Sequence, residues 1–362
     1  MRKLQPLDTR HGVHVIRDGR TLCNFSSNDY LGLARHPEIE AALIEGVRKY
    51  GAGSAASRLV SGSLPPHRAL EEALALAKGT EAALTFSSGF ATAMGVIPAV
   101  VGKADFVIID KLSHACLVDG ARLSGATIRV FPHNSLEKLQ LLLSTVRAKS
   151  HSARILVVTE SVFSMDGDLC PLREIVALTE DYDALLLLDE AHGFGVLGEK
   201  GMGLAEQLNL QQRLPFQMGT FSKAAGLAGG YIAASRDWID LITNRARSFI
   251  YTTAPPPALT HAALTALTLI RSEQGAHLRA KLRENINALA HSPTPIIPRI
   301  LGSNEATLSA SSALAEAGFM VPAIRFPTVP RGKARLRISI SAEHSIEQVG
   351  ALSDHLDNLT GR

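Results

Sequence analysis

Leu185-Leu-Leu-Leu-Asp189-Glu-Ala-His192-Gly-Phe-Gly195 is an apolar run of strand length that ends abruptly in a carboxylate and an imidazole. Four consecutive leucines bury both faces of the strand that carries them. The interior of a parallel sheet, covered by helices on either side, asks for that pattern. Ile155-Leu-Val-Val-Thr159 has the same character. Around these two runs, further β-rich stretches at 106–110, 127–131 and 231–234 alternate with amphipathic or Ala/Leu-rich segments between about residues 80 and 235. This is the rhythm of βα units, so the expected fold class is α/β, with a mostly parallel central sheet covered by helices.

Working outward, Pro171 sets the first turn of a covering helix over 172–182. Tyr251-Thr-Thr-Ala-Pro-Pro-Pro257 then breaks the pattern, and one long helical segment is expected over about 258–290. Past the proline-rich joint at Pro293, Pro295 and Pro298, strands at 296–301, 319–324 and 335–340 suggest a smaller α+β unit. The expected organisation is an N-terminal segment over 1–45, a large ligand-binding domain over 46–240 and a smaller C-terminal domain over 241–362.

Composition narrows the class. A chain of 362 residues, 46% hydrophobic and 20% charged, can bury a large core. Its net charge of +3 comes from 37 basic and 34 acidic residues spread along the whole length, which argues against nucleic-acid and membrane partners. No signal-peptide core or spanning apolar run is evident, and Cys23, Cys116 and Cys170 form no Cys-x-x-Cys pair. A cytoplasmic location is expected, with buried thiols and no metal site.

Ligands of open α/β sheets bind at the carboxyl ends of the strands. A carboxylate there, Asp189, can pair with the protonated nitrogen of a pyridinium ring and make the ring a better electron sink, with His192 close enough to reach a ring oxygen. Two other motifs overlap this stretch. Asp189-Glu-Ala-His192 spells the DEAH box of helicase-type ATPases, but no G-x-x-x-x-G-K-[ST] loop precedes it. Gly193-Phe-Gly195-Val-Leu-Gly198 fits G-x-G-x-x-G but opens no helix. Both read as chance matches.

Gly219-Thr220-Phe-Ser222-Lys223-Ala-Ala-Gly226-Leu-Ala-Gly229-Gly230 surrounds a lysine with small residues that admit a flat ligand, and Thr220 and Ser222 offer hydroxyls to a phosphate. An amine so placed can form an imine with an aldehyde and later move a proton. Ser87-Ser88-Gly89-Phe90 is a strand-to-helix turn whose amides could hold a phosphate. His114, after Asp110-Lys-Leu-Ser, could stack on a planar ring.

In this order, Ser88-Gly89-Phe90, His114, Thr159-Glu-Ser-Val-Phe-Ser164-Met-Asp166-Gly-Asp168, Asp189-x-x-His192 and Thr220-x-x-Lys223 resemble the α-oxoamine synthases, a family of fold-type I pyridoxal-phosphate (PLP) transferases. The similarity extends from Asn24-Phe-Ser-Ser-Asn28-Asp-Tyr30-Leu-Gly32 to Arg335-Leu-Arg337-Ile-Ser-Ile-Ser-Ala-Glu-His344. It implies a decarboxylative condensation of an amino acid with an acyl thioester. Lys223 would carry the cofactor as an imine and act as base and acid at the substrate's α-carbon. The resemblance assigns Asp189 to the ring nitrogen, His192 to the ring oxygen and His114 to the ring face. Ser88, Gly89, Phe90, Ser164 and Thr220 would complete the site. Thr252 and Thr253 would reach the phosphate from a second subunit, which implies a homodimer with shared active sites. Arg337, assisted by Asn28, would take the amino-acid carboxylate.

Within the family, Ala323-Ile-Arg325-Phe-Pro327-Thr328-Val-Pro330 is most similar to the branch that condenses L-alanine with a pimeloyl thioester for biotin synthesis, with Arg325 and Thr328 as substrate contacts. The glycine- and serine-using branches are the alternatives, followed by a PLP transaminase or lyase and, remotely, the ATPase suggested by the DEAH box. The chain begins late relative to the family, which leaves Arg2 as the candidate N-terminal substrate arginine. Glu190 replaces a frequent aspartate and is expected to leave the ring nitrogen unaffected. Phe194 stands where a small residue is common, and is expected to reshape the acyl entrance.

Overall fold

The computed structural model describes residue 4 and residues 6–360. The chain divides into two compact units: a smaller one made of residues up to Arg35, Ser164–Asp168 and the chain from His277, and a larger one over His36–Phe163 and Leu169–Ala276. The helices between 247 and 276 thus group with the central sheet rather than with the C-terminal strands.

The chain opens with a small antiparallel meander, β1 (Thr9–His11), β2 (His14–Arg17) and β3 (Arg20–Asn24). The larger unit then contributes β4 (Ala82–Phe86), β5 (Phe106–Asp110), β6 (Thr127–Phe131), β7 (Ile155–Glu160), β8 (Leu185–Asp189), β9 (Phe216–Thr220) and β10 (Gly230–Ala234). They form one seven-stranded sheet in the order β4-β10-β9-β8-β7-β5-β6. β10 is antiparallel to both of its neighbours and the other pairings are parallel.

Both faces of this sheet are buried, as the leucine run requires. Val107, Ile109, Leu156, Val158, Leu187 and Met218 pack with Val96, Leu117 and Ile242 from the helices Gly89–Val100, Ala115–Ser124 and Arg236–Arg245. Their strand neighbours Ile108, Val157, Leu186 and Leu188 point to the opposite face and are equally buried. Helices Leu136–Lys149 and Leu172–Asp181 cover that side with Leu139, Leu143, Ile175 and Val176. Each such side chain contributes roughly 1.5–3 kcal/mol on burial. The carboxyl ends of the six strands that run in the same direction therefore sit on a fully packed layer.

The smaller unit is completed by β11 (Ile296–Gly302), β12 (Phe319–Met320), β13 (Ala323–Ile324) and β14 (Ala334–Ser339). β12 pairs with β3, whereas β11, β14 and β13 form a separate three-stranded sheet. Here the structure corrects the expected single strand at 319–324. Pro322 has no N–H to give a ladder, and its carbonyl accepts from Arg337 N at 3.1 Å. The segment therefore leaves one sheet before Pro322 and joins the other after it.

The expected long helix is also two helices, Pro257–Arg271 and Glu273–Leu289. Between them Ser272 is extended, its Oγ donates to Leu269 O at 2.7 Å, and a Cβ on Gly275 would run into the Ile270 carbonyl. No helix among the described residues is long and apolar enough to cross a membrane.

Candidate active site

At the carboxyl ends of the central strands lies a cavity of about 290 Å³, walled by Ser88, Gly89, Phe90, His114, Glu160, Asp189, His192, Thr220 and Lys223, with Cys116, Ala191, Met218 and Ser222. All of these residues belong to the larger unit. The structure thus brings together eight of the cofactor-site residues expected from the sequence, Ser88, Gly89, Phe90, His114, Asp189, His192, Thr220 and Lys223, with Ser164, Thr252 and Thr253 excepted.

Asp189 is the last residue of β8 and is only 4% exposed. Its Oδ1 accepts the Ala191 N–H at 2.9 Å. Burial pushes its carboxyl up, opposed by the Lys223 ammonium and the Ala191 N–H. His114 is the N-cap of helix Ala115–Ser124. Its Nδ1 accepts the Cys116 N–H at 3.2 Å, so Nε2 carries the proton of the neutral ring. Burial, reinforced by Lys223, holds the imidazole below its usual range and keeps it neutral.

Thr220 ends β9, donates to Gly229 O at 2.6 Å and accepts from Ser222 N at 3.2 Å. Lys223 follows in the loop between β9 and β10, where the Gly226 N–H closes a turn on its carbonyl at 2.8 Å. Ser88 caps helix Gly89–Val100 by accepting from Ala91 N at 3.0 Å. A Cβ on Gly89 would sit 3.3 Å from Thr220 Cβ, and one on Gly230 would lie 2.6 Å from Gly89 N. Side chains at these positions would close the wall of the cavity.

One residue of the wall, Glu160, was not anticipated as part of the site. It ends β7 directly beside Asp189 in the parallel register and is 3% exposed. Its Oε1 accepts the His114 N–H at 2.5 Å. The signal was present in the sequence: β7, like β8, is an apolar run that stops in a carboxylate. Burial, with the Asp189 charge beside it, pushes Glu160 up to about 8.

That shift predicts how the cofactor-free protein responds to pH. Glu160 ionises near 4.5 when unfolded but keeps its proton to about 8 in the fold. Between those values the folded state binds more protons, so the stabilisation is complete below 4.5 and is lost as pH rises to 8. Urea midpoints of cofactor-free protein should fall across this window, and Glu160→Gln, which can still accept from His114 N, should flatten the fall. An unchanged slope in the variant would rule the assignment out.

The two departures in the Asp189 segment are both resolved. Glu190 is fully buried and accepts the Leu204 and Ala205 N–H groups at 3.1 and 2.9 Å, at the start of helix Leu204–Gln207. It braces the glycine-rich turn that follows. Phe194 corrects the expectation that it reshapes the acyl entrance. The ring is 1% exposed and packs edge-on against Phe221 and Tyr231 at 6.2 and 5.6 Å, within the core.

Other expected residues lie elsewhere. Thr252 and Thr253 occupy a segment pinned by Ala254 N to Ala56 O at 2.9 Å and by His67 Nε2 and Ser54 Oγ to Pro255 O, both at 2.8 Å. Asn28 and Arg337, in the smaller unit, are brought together, with Nη2 donating to Asn28 Oδ1 at 3.3 Å. Ser164 belongs to the same unit. Arg325 and Thr328 share an exposed turn closed by Thr328 N to Arg325 O at 2.9 Å. Arg2 lies outside the described residues.

The sequence profile of the family described as aminotransferase class I and II matches residues 20–356. An 8-amino-7-oxononanoate synthase of Geobacter sulfurreducens is 47% identical over 354 residues, covering 95% of this chain and 90% of that relative. The chain belongs to the α-oxoamine synthase group of this family. Among solved structures, a serine palmitoyltransferase variant from S. paucimobilis with a bound PLP–myriocin aldimine superposes with a TM-score of 0.92 at 30% identity, covering 98% of this chain and 91% of that one. An 8-amino-7-oxononanoate synthase from Francisella tularensis superposes with a TM-score of 0.80 at 26% identity, covering 94% and 98%.

This α-oxoamine synthase is an acyltransferase with pyridoxal phosphate as its cofactor. The cavity fits that group. It supplies an amine, a buried carboxylate, a neutral imidazole and a helix start at Gly89 in which the first N–H groups have no helical partner.

Proposed function

We propose that the protein is an 8-amino-7-oxononanoate synthase. It would condense L-alanine with a pimeloyl thioester, releasing carbon dioxide and the free thiol, in the route to biotin. The observation that carries this reading is the convergence of Lys223, Asp189 and His114 on one cavity, in a chain 47% identical to a synthase of that name over nearly its whole length. When bound, the pyridinium ring supplies the electron sink for breaking bonds at the amino acid's α-carbon.

The chain's own residues do the rest. Lys223 would hold the cofactor through Nζ and, with that amine displaced by the amino acid's own nitrogen, would take the α-proton and return it to the product. The Asp189 carboxylate would keep a proton on the ring nitrogen. His114, neutral and fixed by its bonds to Cys116 and Glu160, would cover one face of the ring, and His192 would orient the ring oxygen. Ser88, Gly89, Phe90, Ser164 and Thr220 would complete the cofactor site.

Thr252 and Thr253 serve the site of a second copy, in a homodimer. Arg337, helped by Asn28, takes the amino-acid carboxylate, and Arg325 and Thr328 contact the acyl substrate. The same reading puts the enzyme in the cytoplasm, where the free thiols of Cys23, Cys116 and Cys170 stay reduced.

The test is release of free thiol from pimeloyl-CoA with alanine, glycine or serine as co-substrate. Alanine should give the highest kcat/KM. Preference for serine or glycine would move the protein to another branch of the family. Amino transfer to a keto acid without thiol release would replace the reading with a transaminase.

A further inference from the structure

The five-residue segment Ser164–Asp168 groups with the smaller unit although the strand before it and the helix after it belong to the larger one. Four bonds hold it there. Arg335 Nη1 donates to Asp166 Oδ1 at 2.6 Å and to Met165 O at 3.1 Å, while its Nε donates to Lys333 O at 3.1 Å. Thr294 Oγ1 donates to Gly167 O at 2.6 Å, and Gly167, at φ +71°, lies so close to Ile296 that a Cβ would strike the Ile296 carbonyl. The fourth bond runs to the residue that reads as the substrate anchor: Arg337 Nε donates to Ser164 O at 2.5 Å.

Arg337 is therefore held on its Nε edge by a backbone carbonyl whose position depends on this clamp. Its other nitrogens donate to Ser339 Oγ at 2.8 Å and to Asn28 Oδ1 at 3.3 Å, and the Tyr30 hydroxyl bonds to it as well. A guanidinium binds a carboxylate through a planar fork, so a rotation of that plane misaligns both bonds at once. The Arg335 side chain is 4% exposed and Asp166 is 30% exposed, so the ion pair is sheltered on one side and would be weakened little by solvent there.

We propose that Arg335, paired with Asp166, is a positioning residue for the amino-acid carboxylate site: it fixes the Ser164 carbonyl, which in turn sets the plane of the Arg337 guanidinium. The inference rests on the reading of Arg337 as the carboxylate-binding group. It accounts for an arginine at 335 rather than a lysine, since one Nη holds both a carboxylate and a carbonyl while Nε holds a third oxygen.

The experiment is a titration of holoenzyme with L-alanine in the absence of acyl donor, followed through the cofactor's absorbance, together with steady-state kinetics on both substrates. Arg335→Gln and Asp166→Asn should each weaken alanine binding and raise its KM about tenfold, the scale of a small misplacement of a binding group. The KM for the thioester should stay within about twofold, as expected for a separate site. Arg335→Lys should recover part of the loss, and the double variant Arg335→Gln/Asp166→Asn should be no worse than the worse single one.

Arg337→Gln is the control. If it impairs alanine binding and Arg335→Gln does not, this inference falls alone. If Arg337→Gln leaves alanine binding intact, the carboxylate reading falls and takes the inference with it. Equal effects of Arg335→Gln on both substrates would mark a general structural role and overturn the proposal. Should Arg335→Gln fail to fold, Asp166→Asn, at the more exposed end of the pair, carries the same test.

Discussion

Lys223→Ala is expected to abolish thiol release while the protein still takes up pyridoxal phosphate. The lysine sits in a loop whose backbone is tied independently of its side chain, by Gly226 N to Lys223 O and Leu227 N to Phe221 O. The walls around it are set by other residues, from the Ser88 cap to the Asp189 carboxylate. Removing the amine therefore takes away chemistry and leaves the cavity standing. One group would lose both the attachment of the cofactor and the movement of the α-proton, so the loss should reach about 10⁴-fold, the upper end of what a positioned acid or base contributes.

The measurements are thiol release, cofactor stoichiometry after gel filtration, and mass mapping after borohydride reduction. Reduction should place the cofactor's mass on the peptide containing Lys223 in the native protein, and on no peptide in the variant. A variant that keeps more than a few per cent of its turnover would remove Lys223 from the centre of the reaction.

Asp189→Asn is expected to cost on the order of 10³-fold in kcat/KM with the fold intact. The amide oxygen can still accept from Ala191 N, so the strand end keeps its turn. What is lost is a buried negative charge facing the ring nitrogen. Breaking one partner of a buried charge pair costs about 3–5 kcal/mol, and each 1.4 kcal/mol is a factor of ten.

In the cofactor-free protein burial raises the Asp189 carboxyl even though the Lys223 ammonium opposes the rise. The cofactor-free variant should therefore be at least as stable as the native protein in thermal unfolding. The loss should appear only with cofactor bound, and a variant that is equally unstable with and without cofactor would point to a structural role. The same substitution removes the like charge beside Glu160, so Glu160 should titrate lower in the variant.

The sheet and its chemistry were legible because their signals are local. Four leucines ending in Asp189 describe a buried parallel strand and its functional end within one stretch. Lys223 among glycines and alanines describes a flat pocket within another. Glu160 could have been found by the same rule applied to β7. The strand at 319–324 was misjudged because its apolar character is continuous, while the decision to change sheets is made by one missing N–H at Pro322. Phe194 was misjudged because a large residue in a glycine-rich turn gives no sign of which way its ring will point.

What sequence alone determines here is therefore the class of fold, the cofactor chemistry and the residues at the strand ends, since each depends on periodicity or on neighbours a few positions away. The tertiary structure decides which of the groups meet. Arg335 and Asp166 are 169 residues apart, and Thr294 and Gly167 are 127 apart. An ion pair at that separation leaves no periodic trace in the chain, because its partners are selected by the packing of β11 and β14 rather than by any local preference of their own.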